Sequence, residues 1–202
     1  MKIINQELAE DFKLGNLVRL ELGSGGMVRD GFYGVDIKPL PGVSLVADLN
    51  FPLEMIPSNS VSEIVSHHCF EHVKNIIALM EEIHRIVIPG GLIRITVPHF
   101  SNPYYYSDPT HCTFFGLYTF YYFSNLEDQP AKRKVPFFYT NIRFHVIDIK
   151  ISLMTRSLFL RLRWPLLGKL VNSKLKWMEW YEKRLCWRVP AEQISYCLKV
   201  IK

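Results

Sequence analysis

The chain has 202 residues, enough for one substantial hydrophobic core and short for two. Apolar residues make up 49% of it, which excludes a disordered chain, and 24 Lys and Arg against 19 Asp and Glu leave a net charge of +5. Its four cysteines, Cys69, Cys112, Cys186 and Cys197, form neither a C-x-x-C pair nor a disulfide framework, so reduced thiols in a cytoplasmic protein are expected.

Met1 to Lys13 carries acids and lacks an apolar core segment, so it is not read as a signal peptide. No uninterrupted apolar run reaches the roughly 18 residues of a spanning helix. Asn5 to Leu14 reads as a short helix, capped by Asn5 and stopped by Gly15. Val18 to Leu22 reads as a buried strand that runs into a turn at Gly23-Ser24-Gly25-Gly26. Tyr33 to Ile37 is the second strand and Val43 to Ala47 the third, followed by a helical turn at Leu53 to Ile56 and a fourth strand at Ser62 to Ser66. Val73 to Val87 is the clearest helix, with Ile76, Met80, Ile83 and Val87 on one face. Pro89-Gly90-Gly91 stops it, and Leu92 to Val97 is the fifth strand. Arg143 to Met154 and Gln193 to Ile201 read as the last two strands. Alternating strand and helix patterns imply a parallel sheet with right-handed crossovers.

Glycines after the first strand let a ligand approach the backbone, because no Cβ intrudes. Asp36, closing the second strand, is placed to accept hydrogen bonds from a ribose diol. A dinucleotide is disfavoured: Gly23, Gly25 and Gly26 do not complete G-x-G-x-x-G because position 28 is Val, and Asp36 arrives too early. Met27 to Phe32 hardly hold a helix whose N-terminus could receive a pyrophosphate, and no P-loop motif occurs. Glu21 beside the turn is unfavourable for a phosphate and suited to an ammonium group. Ribose, adenine and an amino-acid ammonium together describe S-adenosylmethionine.

Five segments in order resemble the class I S-adenosylmethionine-dependent methyltransferases, within the group (methyltransferase type 11-like) whose first loop after the glycine turn is short. They are Glu21-Leu22-Gly23-Ser24-Gly25-Gly26, Gly34-Val35-Asp36, Ala47-Asp48-Leu49, Ser66-His67-His68-Cys69-Phe70-Glu71-His72-Val73 and Ile88-Pro89-Gly90-Gly91-Leu92; the resemblance resumes at Asp108-Pro109-Thr110-His111. It implies an α/β, Rossmann-like class I methyltransferase fold: a mostly parallel seven-stranded sheet with an antiparallel last strand. An aromatic lid (98–141) and a basic C-terminal helical insertion (153–188) would be added to this single domain, 1–202. By the same resemblance Gly23, Gly25 and Gly26 line the methionine moiety, Asp36 holds the ribose, Asp48 meets the adenine amino group with Leu49 beside it, and His68 lies over the methionyl end. Ser24 and Ile37 complete the expected cofactor set.

Three histidines, His67, His68 and His72, lie close to Glu71, but no H-E-x-x-H motif is present, so no metal ion is expected and Glu71 with His72 is read as capping the next helix. Pro98 to Ser124 is dense in Tyr and Phe, which would either fold over the sulfonium or form a satellite cluster at the sheet edge. Within it, His111 is the first candidate for a base that takes a proton from an acceptor hydroxyl, Asp108 would orient it or bind sugar hydroxyls, and His99 is the second candidate. The acceptor expected from the resemblance is a small molecule or glycan, lipid-linked forms included, methylated on oxygen; that is an analogy at the level of fold. A non-catalytic protein binding a nucleoside or a membrane surface is the alternative.

Charge is uneven: Lys132 to Arg188 is dense in Lys and Arg, contains only Asp148, Glu179 and Glu182 as acids, and holds all four tryptophans. Residues 153–187 therefore read either as basic amphipathic helices resting on anionic lipid at the inner membrane face, or as helices packed on the sheet with solvated cations. Nucleic acid is a weaker expectation, since no RRM, KH or zinc signature occurs.

Overall fold

The computed structural model describes residues 1–154 and 164–202. In chain order these form β1 (Lys2–Ile3), α1 (Gln6–Leu14), β2 (Val18–Leu22), β3 (Tyr33–Asp36), β4 (Val43–Val46), β5 (Val61–His67), α2 (Ile76–Ile86), β6 (Val87–Pro98), β7 (Arg143–Leu153), α3 (Trp164–Val171), α4 (Leu175–Arg184) and β8 (Ala191–Ile201). The strands make one eight-stranded sheet in the order β1-β4-β3-β2-β5-β6-β8-β7. Strands β4, β3, β2, β5 and β6 run parallel, while β8 lies antiparallel between β6 and β7. Beyond the seven expected strands, the two residues of β1 add an antiparallel edge on β4.

Local chemistry sets the element ends. Asn5 caps α1, its Oδ1 accepting from the Leu8 N–H at 3.1 Å, and Gly15 closes it in the left-handed region at φ 72°. Helix α2 starts at Ile76 rather than Val73, because Asn75 is the cap (Oδ1 to the Ala78 N–H, 3.1 Å) and Phe70–His72 form a separate 3-10 turn. Leu79, Met80, Ile83 and Ile86 of α2 are buried against the sheet; each such side chain contributes roughly 1.5–3 kcal/mol of transfer free energy. Pro89-Gly90-Gly91 does not separate α2 from a later strand. β6 begins at Val87 and carries the three residues as a bulge, the pairing on β5 slipping from Val61↔Val87 to Glu63↔Leu92.

Among the connections between the parallel strands only that from β5 to β6 contains an α-helix; those between β2, β3, β4 and β5 are turns and loops. The sheet is accordingly one-sided. On β6 Ile93, Ile95 and Val97 are buried while Arg94 is exposed, and on β8 Ile194, Tyr196, Leu198 and Val200 are buried while Lys199 is exposed. The polar face is laced by Arg94 Nε on Glu63 Oε1 at 2.8 Å and by a Thr96–Ser195 hydroxyl pair at 2.9 Å. Parallel strands usually read as apolar on both faces because helices cover both.

Aromatic residues of the segment expected to form a lid pack instead on the apolar face. Phe115, Phe120 and Phe123 are buried, with Phe120 edge-on to Tyr196 at 4.6 Å and Phe123 to Phe144 at 6.4 Å between ring centroids. Helix α4 holds this segment from outside through its acids. Glu182 Oε1 accepts from the Leu117 N–H at 2.6 Å, and Glu179 accepts from the Tyr118 hydroxyl. Of the basic amphipathic stretch, Arg156, Leu158, Leu160, Arg161, Leu162 and Arg163 lie outside the described residues.

Candidate functional site

A cleft of about 280 Å³ opens at the carboxyl ends of β2, β3, β4 and β5, where ligands sit in open α/β sheets. Gly23, Val35, Asp36, Ile37, Ala47, Asp48, Leu49, Asn50, His68, Cys69, His72 and Val73 line it. Six of the ten residues expected at a cofactor are thus brought together: Gly23, Asp36, Ile37, Asp48, Leu49 and His68. Val35, Ile37, Ala47, Leu49 and Val73 supply an apolar wall of the kind an adenine ring needs.

Asp36 is anchored from both sides. Its Oδ2 accepts from the Gly25 N–H at 2.9 Å and its Oδ1 from the Lys38 N–H at 3.1 Å, which ties the glycine turn to the end of β3. Each oxygen keeps a lone pair for a further donor such as a ribose hydroxyl. Asp48 Oδ1 accepts from both the backbone and side-chain N–H of Asn50 at 2.9 Å, an Asx turn that leaves Oδ2 without a protein partner among the described residues. Asn50 in turn accepts from the Lys74 N–H at 2.8 Å, so the wall after β4 is tied to the approach to α2. The Asp48-Leu49-Asn50 pattern is the sequence signal by which Asn50 could have been found.

The glycine turn has two kinds of glycine. A Cβ on Gly23 would stand 2.4 Å from Cys69 Cβ, so Gly23 is required by the chain packed against it. Gly25 and Gly26 face open space beyond the turn, with room for a ligand but outside the walls of the cleft. Ser24 and Glu21 also lie outside it. Glu21 faces its own loop instead of a ligand: Oε2 accepts from the Arg29 N–H at 2.8 Å and Oε1 from Arg29 Nε at 3.2 Å, holding the short connection that replaces a helix. Burial pushes the Cys69 thiol up to about 12, which makes it a neutral packing group.

His68 takes the left-handed conformation at φ 51°, rare for a residue with a Cβ. Its ring reaches Glu71 Oε1 through Nδ1 at 3.3 Å and Gln193 Oε1 through Nε2 at 3.3 Å. The hydrogen bond to Glu71, outweighing desolvation, raises its pKa.

Beside the cleft, the loop after β6 is stitched to the turn after β5. The Glu71 carbonyl accepts from the N–H groups of Cys112 (2.8 Å) and Thr113 (3.2 Å), and Thr113 Oγ1 donates to the Val73 carbonyl at 2.6 Å. Asp108-Pro109-Thr110-His111 is thereby laid against His72. The Thr110 hydroxyl donates to Asp108 Oδ1 and lies 2.9 Å from His72 Nδ1, which must then donate to it. These Thr110 hydrogen bonds hold the Asp108 carboxyl below its ordinary value. His111 Nδ1 donates to the Tyr105 carbonyl at 2.9 Å, leaving the Nε2 lone pair, and Nε2 stands 3.7 Å from Asp108 Oδ2. His111 and His72 rings meet at 4.8 Å. His72 therefore belongs to the site that the sequence reading gave only a capping role.

His99 is elsewhere. It is fully buried, Nδ1 accepts from the Ser101 N–H at 3.1 Å, and Nε2 then donates to Glu182 Oε1 at 3.1 Å. Both ring nitrogens serve the junction of lid and α4, and neither can meet an acceptor in the cleft. No aromatic residue of 98–124 lines the cleft either; the lid rings are the satellite cluster.

Comparison with known proteins agrees with this fold. Residues 33–95 match the family described as methyltransferase domain. A presumed methyltransferase of Bacillus halodurans is similar over 98% of this chain and 100% of its own, at 13% identity and a TM-score of 0.55. An S-adenosylmethionine-dependent methyltransferase of Archaeoglobus fulgidus is similar over 96% and 90%, at 18% identity and a TM-score of 0.50. A chain from the Haloferax volcanii complex of the Trm112 methyltransferase activator with a presumed methyltransferase is similar over 92% and 82%, at 17% identity and a TM-score of 0.51. A search of curated proteins found no match.

Proposed function

We propose that this class I S-adenosylmethionine-dependent methyltransferase transfers its methyl group to an oxygen of a small molecule or glycan. The cleft fits the cofactor: an apolar wall for adenine, the anchored Asp36 carboxylate for the ribose, and open space over Gly25 and Gly26 toward the methionyl end. S-adenosylmethionine supplies the methyl group.

The chain's own contribution is placement and proton removal. The acceptor oxygen bonds the methyl carbon as the carbon–sulfur bond breaks, and the electron pair leaves with sulfur. The hydroxyl proton passes to His111 Nε2, whose tautomer is set by the Tyr105 carbonyl. Asp108, close to that nitrogen, steadies the charged imidazole or holds an acceptor hydroxyl. The observation that supports this reading is the stitching of the His111 loop onto the cofactor wall through the Glu71 carbonyl.

The test is direct. The protein should bind S-adenosylhomocysteine in calorimetry, and labelled S-adenosylmethionine incubated with host extract should yield a labelled hydroxyl-bearing product. His111→Ala should retain cofactor affinity and lose about 10²–10⁴ in turnover, the usual contribution of a positioned base. Binding without any labelled product would favour a non-catalytic nucleoside-binding protein.

A further inference from the structure

The two segments that meet beside the cleft also bring together three metal-ligating side chains. Glu71, His72 and His111 each offer one donor atom, and the three lie within 4.8 Å of one another. Glu71 is almost fully buried, and its Oε2 is the one buried side-chain oxygen without a hydrogen-bond partner among the described residues. A buried carboxylate oxygen left unpaired costs free energy that a partner would return.

Both imidazoles are held through the same ring nitrogen, Nδ1. The Tyr105 carbonyl takes the His111 Nδ1–H and Thr110 takes the His72 Nδ1–H, so both Nε2 lone pairs stay available. Histidines that bind metals are typically fixed in this way, the second ring nitrogen donating to a carbonyl or to a carboxylate-linked group. Thr110 passes the His72 contact on to Asp108, and His68 holds the other oxygen of Glu71. Each member of Asp108-Pro109-Thr110-His111 with a polar side chain is then accounted for: His111 as ligand, Thr110 and Asp108 as its neighbour's supports.

We propose that Glu71, His72 and His111 form a binding site for a divalent transition-metal ion, zinc being the best match to two imidazoles and one carboxylate. Ligands at about 2.0–2.2 Å from a tetrahedral ion stand roughly 3.3–3.6 Å apart, so small side-chain rotations close the site. Three protein ligands leave a fourth position for a further ligand, beside the cleft that His72 lines. An acceptor hydroxyl seated there would have its pKa lowered by the cation, deepening the acceptor reading above, on which this role depends. With the ion bound His111 Nε2 is a ligand, so the acceptor's proton leaves to solvent and the ion takes the place of the His111 base. Absence of an H-E-x-x-H motif is no objection, since the third ligand comes from the loop after β6.

Metal-stripped protein titrated with zinc in a calorimeter, and with cobalt followed by its visible absorption, tests the site without reference to methyl transfer. One equivalent should bind, with a cobalt spectrum of low-symmetry four- or five-coordination. Glu71→Gln and His111→Ala should each weaken zinc binding by more than about 100-fold, and Asp108→Asn by roughly 10- to 100-fold as an orienting partner. His145→Ala, on β7, should leave it unchanged. Circular dichroism and S-adenosylhomocysteine binding verify that each variant is folded. Uptake by the wild type that none of the three variants alters, or no uptake at all, overturns the metal site. Failure of the wild type to bind S-adenosylhomocysteine both with and without zinc would instead overturn the cofactor reading.

Discussion

Gly23 and Gly26 occupy one turn under different constraints. An Ala at position 23 would press its Cβ within 2.4 Å of Cys69 Cβ and sit at φ 68°, so overpacking and left-handed strain add. Gly23→Ala should lose about 3 kcal/mol in chemical denaturation. Gly26→Ala meets nothing within 4 Å and needs no positive φ, so it should stay within about 1 kcal/mol of wild type. Equal losses at the two positions would refute this division. Both glycines were legible as a turn. That Gly23 answers to Cys69 was not, because the contact joins two strand ends far apart in the chain.

At the scale of elements, α2 illustrates what periodicity carries and what it omits. Its apolar face was legible from spacing, whereas its start depended on Asn75 competing with the 3-10 turn at Phe70–His72. Its last turn joins the segment at Leu53 through a carboxylate. Glu82 Oε2 accepts from the Leu53 N–H at 2.7 Å and pairs with Arg85, whose hydrogen bond is the main cause of a lowered Glu82 pKa. A carboxylate whose native pKa is depressed stabilises the fold above its unfolded value, about 4.3, and stops doing so as pH falls through the native value. Glu82→Gln should therefore cost about 1 kcal/mol at pH 7, and the gap to wild type should close as pH drops below about 4, in urea midpoints measured across that range. A gap that stays constant with pH would remove the ionised carboxylate from the account.

Over the whole molecule, the mostly parallel sheet was readable from the alternating pattern, and Gly23, Asp36, Ile37, Asp48 and His68 meet in one cleft because each lies at or just past the end of a strand in the parallel half. The pairing of His72 with His111 was not readable, since two loops meet there and nothing in either fixes the other's path. One signal was present and unused: Ile93-Arg94-Ile95-Thr96-Val97 alternates, as a strand with one wet face does. No helix among the described residues is long and apolar enough to cross a membrane. Helices α3 and α4 nevertheless present Leu166, Leu170 and Trp180 to solvent among their cations, with Trp187 exposed just beyond α4, while the acids of α4 are spent on the segment after β6. Contact with an anionic bilayer should then show as vesicle binding that weakens with added salt. Equal partition to neutral and acidic vesicles would assign those residues to solvent alone.

The Glu71 carbonyl, by taking two N–H groups from the far loop, fastens the segment that carries Asp108 and His111 to the turn beside the cleft. Residues matched by the family model stop at 95, before that loop begins. Substitutions in that loop should therefore change the preferred acceptor while the berth of the methyl donor stays intact.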